Sequence, residues 1–506
     1  MSAPLLLLFR RPSPPPLLWR AALLPQQHPQ HQHQRRALSS TPPPPPDSSA
    51  AAAAERPTTA PAPPPLSGIR VLDLSQVVAG NVCASILAHF GADVIKLEAG
   101  SGGGDPIRGL RDLDARGTSY WWRSLGRNRR CATADLRTEA GRLVARRLAL
   151  EWPADVLVEN FRPGVLESHG LGPGDLPGLI FARISGYGQT GPRAREPGYA
   201  SVCEAEAGLR HLNGVPGEVP VRLNASLGDT LTGIYAALGT VMALLHRQRT
   251  AAAAGGGGGG GGGKGQVVDA SLHECVASVL DAAVTEAAAH AASGGARGSV
   301  RGPSGSTISG VVPTGTFATR DGRHVVVGGN GEGVYGRLMR AVGRPEMDGA
   351  ADARFRGNAN RVAREGEIMA AIAGWVARRS LEECLAALRE ARVPAGALAT
   401  PADLVRCPQF AARGFLQRAK APPSPAAGGG AGAGAGAGAA AAAAAPDGKE
   451  DGEEFVVHAW PPHLSATPGG TRWAGAELGQ HTDEVLREVL RMGDDEIRRL
   501  REAGGV

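Results

Sequence analysis

One carboxylate in the 506-residue chain stands where an anion could do covalent work. Gly228-Asp229-Thr230 introduces the run Thr230–His246, which is apolar nearly all round and is expected to be a buried helix. An acid at the start of such a helix gains from the helix dipole. Spacing alone equally describes a plain N-cap aspartate. Two features favour chemistry. Burial of the helix would put Asp229 in an interior crevice, and the run follows an α/β half, whose ligands gather beyond the strand ends. A second constellation is cationic. Arg123, Arg127, Arg129 and Arg130, with Asn128 among them, place four guanidinium groups within eight residues. Such a set could neutralise phosphates through bidentate bonds, or form a solvated basic turn.

Other patterns carry less. Gly331-Glu332-Gly333-Val334-Tyr335-Gly336 matches G-x-G-x-x-G after a strand, but the strand belongs to a hairpin and no βαβ unit follows. Gly258–Gly265 fits G-x4-G-K only because a poly-Gly run fits any glycine pattern, and Gly265 replaces the Ser or Thr that would hold Mg²⁺. Neither HExxH nor G-x-S-x-G occurs, against a zincin or an α/β-hydrolase. The six cysteines never form CxxC, so no zinc spacing exists, and they read as reduced core thiols.

The elements that must position these residues alternate. Arg70–Leu74, Ala92–Leu97, Asp155–Glu159 and Leu179–Ile184 read as strands, with helices at Ala79–Phe90 and Thr138–Leu150 between them. Strands separated by helices imply a parallel sheet covered on both faces. Gln266–Val268 reads as a further strand and Ser271–Ala289 as a further helix. From Gly310 the pattern changes to a hairpin, Val311–Ala318 and His324–Gly328, around Asp321-Gly322. Helices follow near Tyr335–Val342 and Glu365–Arg378, and Thr482–Arg491 and Asp494–Ala503 close the chain.

Residues 1–46 contain no acid and carry Arg10, Arg11, Arg20, Arg35 and Arg36, the composition of a mitochondrial transit peptide, here assigned to residues 1–38. Residues 39–65 are a Pro/Ala linker, and 251–265 and 426–445 are low-complexity insertions. Five of the six net positive charges lie in the first 38 residues, leaving +1 from Ser39 onward, so the charge is no argument for nucleic-acid binding. The longest apolar stretch, Leu231–Leu245, falls short of the ~20 residues that span a bilayer.

Six blocks in order carry a family likeness: Leu66–Glu98, Gly126–Leu136, Asp155–Gly164, Ile184–Pro192 (ISGYGQTGP), Leu227–Tyr235 (LGDTLTGIY) and Leu478–Leu486. Through them the chain resembles the class III CoA-transferases over roughly residues 66–506. The resemblance implies that Asp229 is the nucleophile, and that a mobile loop, best matched by Pro303–Gly310, excludes water above it. It implies that Val77, Val78 and Ala79 grip the pantetheine and the catalytic site. Arg137, Asn160 and Phe161 would line the CoA site, with Arg129 close to it. Some members have Arg where this chain has Ala99 and Ser168, and Gln where it has Val78, which leaves the 3′-phosphate contacts open.

The implied fold is α/β: a large Rossmann-like parallel-sheet domain built from both chain ends (66–294 and 395–506), plus a smaller α+β domain (295–394). The implied assembly is an interlocked homodimer in the mitochondrial matrix. No permanently bound cofactor, metal, nucleic acid or membrane is expected. CoA thioesters and carboxylic acids such as succinate, glutarate or hydroxymethylglutarate are the expected substrates. The racemase branch of the family pairs the same Asp with a His about thirty residues upstream. Here that place reads Gly198-Tyr199-Ala200, so two-base proton exchange lacks a partner. A non-enzymatic CoA- or dinucleotide-binding protein is the remaining alternative.

Overall fold

The computed structural model describes residues 62–253, 264–422 and 453–506. The expected transit peptide, nearly all of the Pro/Ala linker, most of the first insertion and the whole of the second lie outside the described residues.

Six strands form one parallel sheet: β1 (Arg70–Asp73), β2 (Asp93–Glu98), β3 (Arg129–Thr133), β4 (Val156–Glu159), β5 (Ile180–Ser185) and β6 (Val267–Ser271). Their order is β3-β2-β1-β4-β5-β6. This is the doubly wound order, whose reversal falls between β1 and β4 and opens a crevice beyond their carboxyl ends. Leu72 of β1 stands in register with Ile95 of β2 and Leu157 of β4. Strands buried on both faces need apolar residues on both, hence runs such as Val156-Leu157-Val158.

The helices of this half are α1 (Ala79–His89), α2 (Tyr120–Leu125), α3 (Glu139–Leu150), α4 (Val165–Ser168), α5 (Ala200–Glu206), α6 (Leu209–Leu212), α7 (Leu227–Ala253), α8 (Leu272–Ala277) and α9 (Ala283–Ala292). Thr138 caps α3, its hydroxyl accepting from the Gly141 N–H. A second module holds the antiparallel sheet β7 (Thr314–Ala318), β8 (His324–Gly328) and β9 (Ala395–Ala397), with α10 (Glu332–Ala341), α11 (Asn358–Val362), α12 (Glu365–Val376) and α13 (Leu381–Glu390). It has its own core, from Val312 to Val393. After α14 (Pro401–Val405) and α15 (Pro408–Ala412), β10 (Leu416–Lys420) and β11 (Glu454–His458) pair as a ribbon, and α16 (Thr482–Glu484) and α17 (Asp494–Glu502) follow. The chain end packs back on the parallel sheet. Ile497 and Leu500 of α17 share a core with Val144 and Leu148 of α3, and Arg108 and Trp122 both donate to the Ala476 carbonyl oxygen.

Three expectations are corrected. Arg129–Thr133 is strand β3, not part of a basic turn. The helix expected over Ser271–Ala289 is two helices, broken where Asp281 takes φ +50°. Most informative is α7, which begins at Leu227, runs to Ala253 and is not buried all round. One face packs tightly: at Gly233 a Cβ would stand 2.5 Å from the Ala79 carbonyl oxygen, so only glycine lets α1 and α7 approach this closely. On the other face Ile234, Leu238, Val241, Met242 and Leu245 are exposed. Among the described residues α7 is also the one helix long and apolar enough to cross a membrane, which the shorter stretch seen in the sequence concealed.

Candidate active site

A cavity of about 340 Å³ opens at the carboxyl ends of β1, β4 and β5, at the switch point of the sheet. Its walls include Val77, Val78 and Ala79 after β1, Asn160 and Phe161 after β4, and Asp229 in the first turn of α7. Six of the eight residues singled out in the sequence thus converge on one space.

The β1 and β4 loops are fastened to each other. Asn160 accepts from the Gln76 N–H (2.8 Å) and donates to the Gln76 carbonyl (2.7 Å). Phe161 N–H donates to Glu159 (2.7 Å), which is buried and ion-paired to Arg183. Val77 adopts φ +62°, a left-handed conformation that is costly for a β-branched residue. A buried network holds it there. Asp105 accepts from the Val77 N–H (2.9 Å), while Asn81 donates to both the Val77 carbonyl (2.7 Å) and Asp105 (2.7 Å). Lys96, fully buried, lies 3.2 Å from Asp105 and donates to the Ser75 carbonyl (2.6 Å). Burial opposes the ionisation of Asp105. The Lys96 charge and the hydrogen bonds from Asn81, Ile107 and Val77 outweigh it and hold the carboxyl below its usual range.

Arg129 belongs to this network and not to a phosphate site. Its guanidinium is wholly buried and donates to Asp73 (2.5 Å), Asn81 (2.7 Å) and the Leu125 carbonyl (2.5 Å). Arg123 is spent on Asp114, Glu477 and the Gly475 carbonyl, and Arg127 on the carbonyls of Ser124 and His458. Arg130 pairs with Asp93 and Glu484. The cluster neutralises acids and carbonyls of its own fold. Arg137 is also absent from the cavity wall. It stands 71% exposed, bridged to Asp135 and Ser101.

Asp229 is no N-cap, because α7 begins two residues before it. Its carboxylate accepts no hydrogen bond among the described residues. Burial pushes its pKa up to about 6, the buried carboxylate of Glu204 adds to the rise, and the Arg222 charge opposes it. Burial and like charge therefore outweigh the helix dipole. Glu204, on α5, accepts from the Gly228 N–H (2.9 Å) and so fixes the turn that carries Asp229. Glu204, Arg222 and Arg162 were not singled out in the sequence. Arg222 lies seven residues before Asp229 in an aperiodic segment, where no pattern marks it.

One expectation fails here. No residue of Pro303–Gly310 lines the cavity. That loop packs elsewhere, Gly305 N–H donating to the Gly214 carbonyl (2.8 Å). The Gly331 motif follows β8 of an antiparallel sheet, and its Gly336 is needed because a Cβ would stand 2.8 Å from the Asp348 carboxylate, which explains the glycine by packing.

A desolvated carboxylate at the switch point of a doubly wound sheet places a candidate nucleophile where such folds bind their ligands. Residues 66–482 match the model of CoA-transferase family III, and the chain belongs to that family. It is similar to the succinyl-CoA–D-citramalate CoA-transferase of Chloroflexus aurantiacus, 35% identical over 87% of this chain and 97% of that one. It is also similar to the succinyl-CoA:glutarate CoA-transferase of Mus musculus, 29% identical over 86% and 89%. Among solved structures, a CAIB/BAIF family protein from Brucella suis matches with a TM-score of 0.65 and 28% identity, covering 85% of this chain and all of that one. The chain is a CoA-transferase, moving coenzyme A from one carboxylic acid to another.

Proposed function

We propose that this enzyme transfers CoA between small dicarboxylic acids with Asp229 as covalent nucleophile. The observation that carries the reading is the unpaired, largely desolvated Asp229 carboxylate in the cavity formed by the β1 and β4 loops. The carboxylate attacks the thioester carbonyl carbon, the C–S bond breaks, and CoA leaves as thiolate, giving a mixed anhydride. The thiolate then attacks the aspartyl carbonyl and releases the first acid, leaving an aspartyl–CoA thioester. A second carboxylate repeats the two steps in reverse, so the thioester energy is kept. Val77, Val78 and Ala79 supply the wall against which the thioester end lies, and Asn160 and Phe161 the side along which the CoA arm leaves.

Dicarboxylates are favoured by the names of both relatives and by two exposed arginines in the cavity wall, Arg162 and Arg222. Arg137, exposed and outside the cavity wall, keeps the place along the CoA site that the resemblance gives it. A racemase is disfavoured, since no histidine lines the cavity among the described residues and the place of the racemase His reads Gly198-Tyr199-Ala200. The exposed apolar face of α7, together with Val219 and Val221, supports a homodimer, whose interlocked form rests on the resemblance. The acid-free, Arg-rich N-terminus supports a mitochondrial matrix location.

The test is exchange. Labelled succinate should enter succinyl-CoA, and glutarate should yield glutaryl-CoA. Absence of both across a panel of dicarboxylates would overturn the reading. The pH profile follows from Asp229. The nucleophile must be ionised, so with its pKa near 6 the kcat/KM should be flat above pH 6 and fall about tenfold per unit below it. A profile flat down to pH 4.5 would contradict this role.

A further inference from the structure

Glu204 organises more than the nucleophile's turn. While its Oε1 takes the Gly228 N–H, its Oε2 lies 3.6 Å from Arg222 Nε and 3.8 Å from Arg210 Nη2. One buried carboxylate thus ties Arg222 to the residue preceding Asp229. Arg210 is further held by donating to the Ser201 carbonyl (2.7 Å). Arg222 is different: it is about half exposed, lines the same cavity as Asp229, and its terminal nitrogens make no hydrogen bond among the described residues. A guanidinium anchored through Nε and open at its planar fork is shaped for a carboxylate, which it can grip through two parallel bonds.

Building on the transfer reaction proposed above, we infer that Arg222 binds the distal carboxylate of the acyl group and of the acceptor acid, and so selects dicarboxylic over monocarboxylic substrates. The reacting carboxyl lies at Asp229 and the spare one at Arg222, with Glu204 setting the spacing between them.

The test compares glutarate with glutaramate, its half-amide, as acceptors from succinyl-CoA. The two match in shape and differ in distal charge. The full-length wild-type enzyme should prefer glutarate by about 10- to 100-fold in kcat/KM, the worth of a charge-assisted pair. Arg222→Gln should collapse that ratio to within about threefold, through KM for glutarate, and Arg222→Lys should restore part of it. If Arg222 acted only by modulating Asp229, both acceptors would lose activity alike and the ratio would persist. A persisting ratio in Arg222→Gln, or a wild-type ratio near one, would overturn the inference while leaving CoA transfer itself intact. Failure of the wild-type enzyme to transfer CoA to any acid would instead strike the proposed function.

Discussion

Asp229→Asn should abolish CoA transfer and stabilise the protein at the same time. Asparagine keeps the shape of the side chain but cannot attack a thioester as an anion, so turnover should fall by at least about 10³-fold. The stability effect follows from the environment of the carboxyl. Its pKa in the folded chain, about 6, lies above the ordinary aspartate value. A group raised in this way contributes stability that is fully present below the ordinary carboxylate range and is lost as pH rises through about 6. Above that pH the wild-type fold must hold an ionised, poorly hydrated carboxylate beside Glu204. The variant has no such charge. At pH 8 it should be more stable by about 1 kcal/mol, the full two-unit shift being discounted for partial exposure. Near pH 4 the difference should vanish. Urea unfolding at both pH values, beside a turnover assay with succinyl-CoA, checks the pair of effects. A variant that is inactive and also destabilised at pH 8 would instead assign Asp229 a structural role.

Lys96→Met should cost about 3–5 kcal/mol and weaken acyl-CoA binding. The substitution keeps most of the volume but leaves Asp105 buried without the Lys96 charge, while Asp73 keeps Arg129. Breaking a buried charge network by removing one member is costly because the partner charge stays behind. The functional consequence runs through Val77. With Lys96 gone, Asp105 loses the cation that keeps it ionised, the Ser75 carbonyl loses its donor, and the left-handed Val77 loses the support that offsets its strain. Val77 is cavity wall, so KM for acyl-CoA should rise more than kcat falls. The milder Asp105→Asn should show the same split with a smaller loss of stability, since its amide oxygen can still accept from Val77. Denaturation and initial-rate kinetics on both variants measure this. A loss below 1 kcal/mol, or unchanged KM, would show that the network does not set the wall.

Much of this site was legible before any coordinates. The alternation of apolar strands and helices marks a parallel sheet, because residues buried on both faces leave continuous apolar runs such as Val156–Val158. Asp229 is different: its spacing reads as a cap, and only the neighbouring blocks LGDTLTGIY and ISGYGQTGP single it out as a nucleophile. What stayed hidden depends on register and depth. Arg129 looks solvated in a string of arginines, and its inward orientation follows from Asp73 two strands away, a pairing set by the sheet order. β3 was hidden for the same reason, since its basic residues disguise a buried strand. Composition shows that α7 is apolar, but only packing shows that one face is left exposed among the described residues. Arg222 and Glu204 come from an aperiodic segment and a short helix, and neither carries a local signal. Their meaning arises when the α7 turn brings both beside Gly228.

The central claim is the covalent role of Asp229. The enzyme should be incubated with succinyl-CoA, treated with hydroxylamine or borohydride, digested and mapped by mass spectrometry. A hydroxamate or reduced side chain is expected on the peptide containing Asp229, and a CoA-sized adduct on the intact protein before trapping. Unmodified Asp229 in an enzyme that is turning over, or the adduct on another residue, would contradict it.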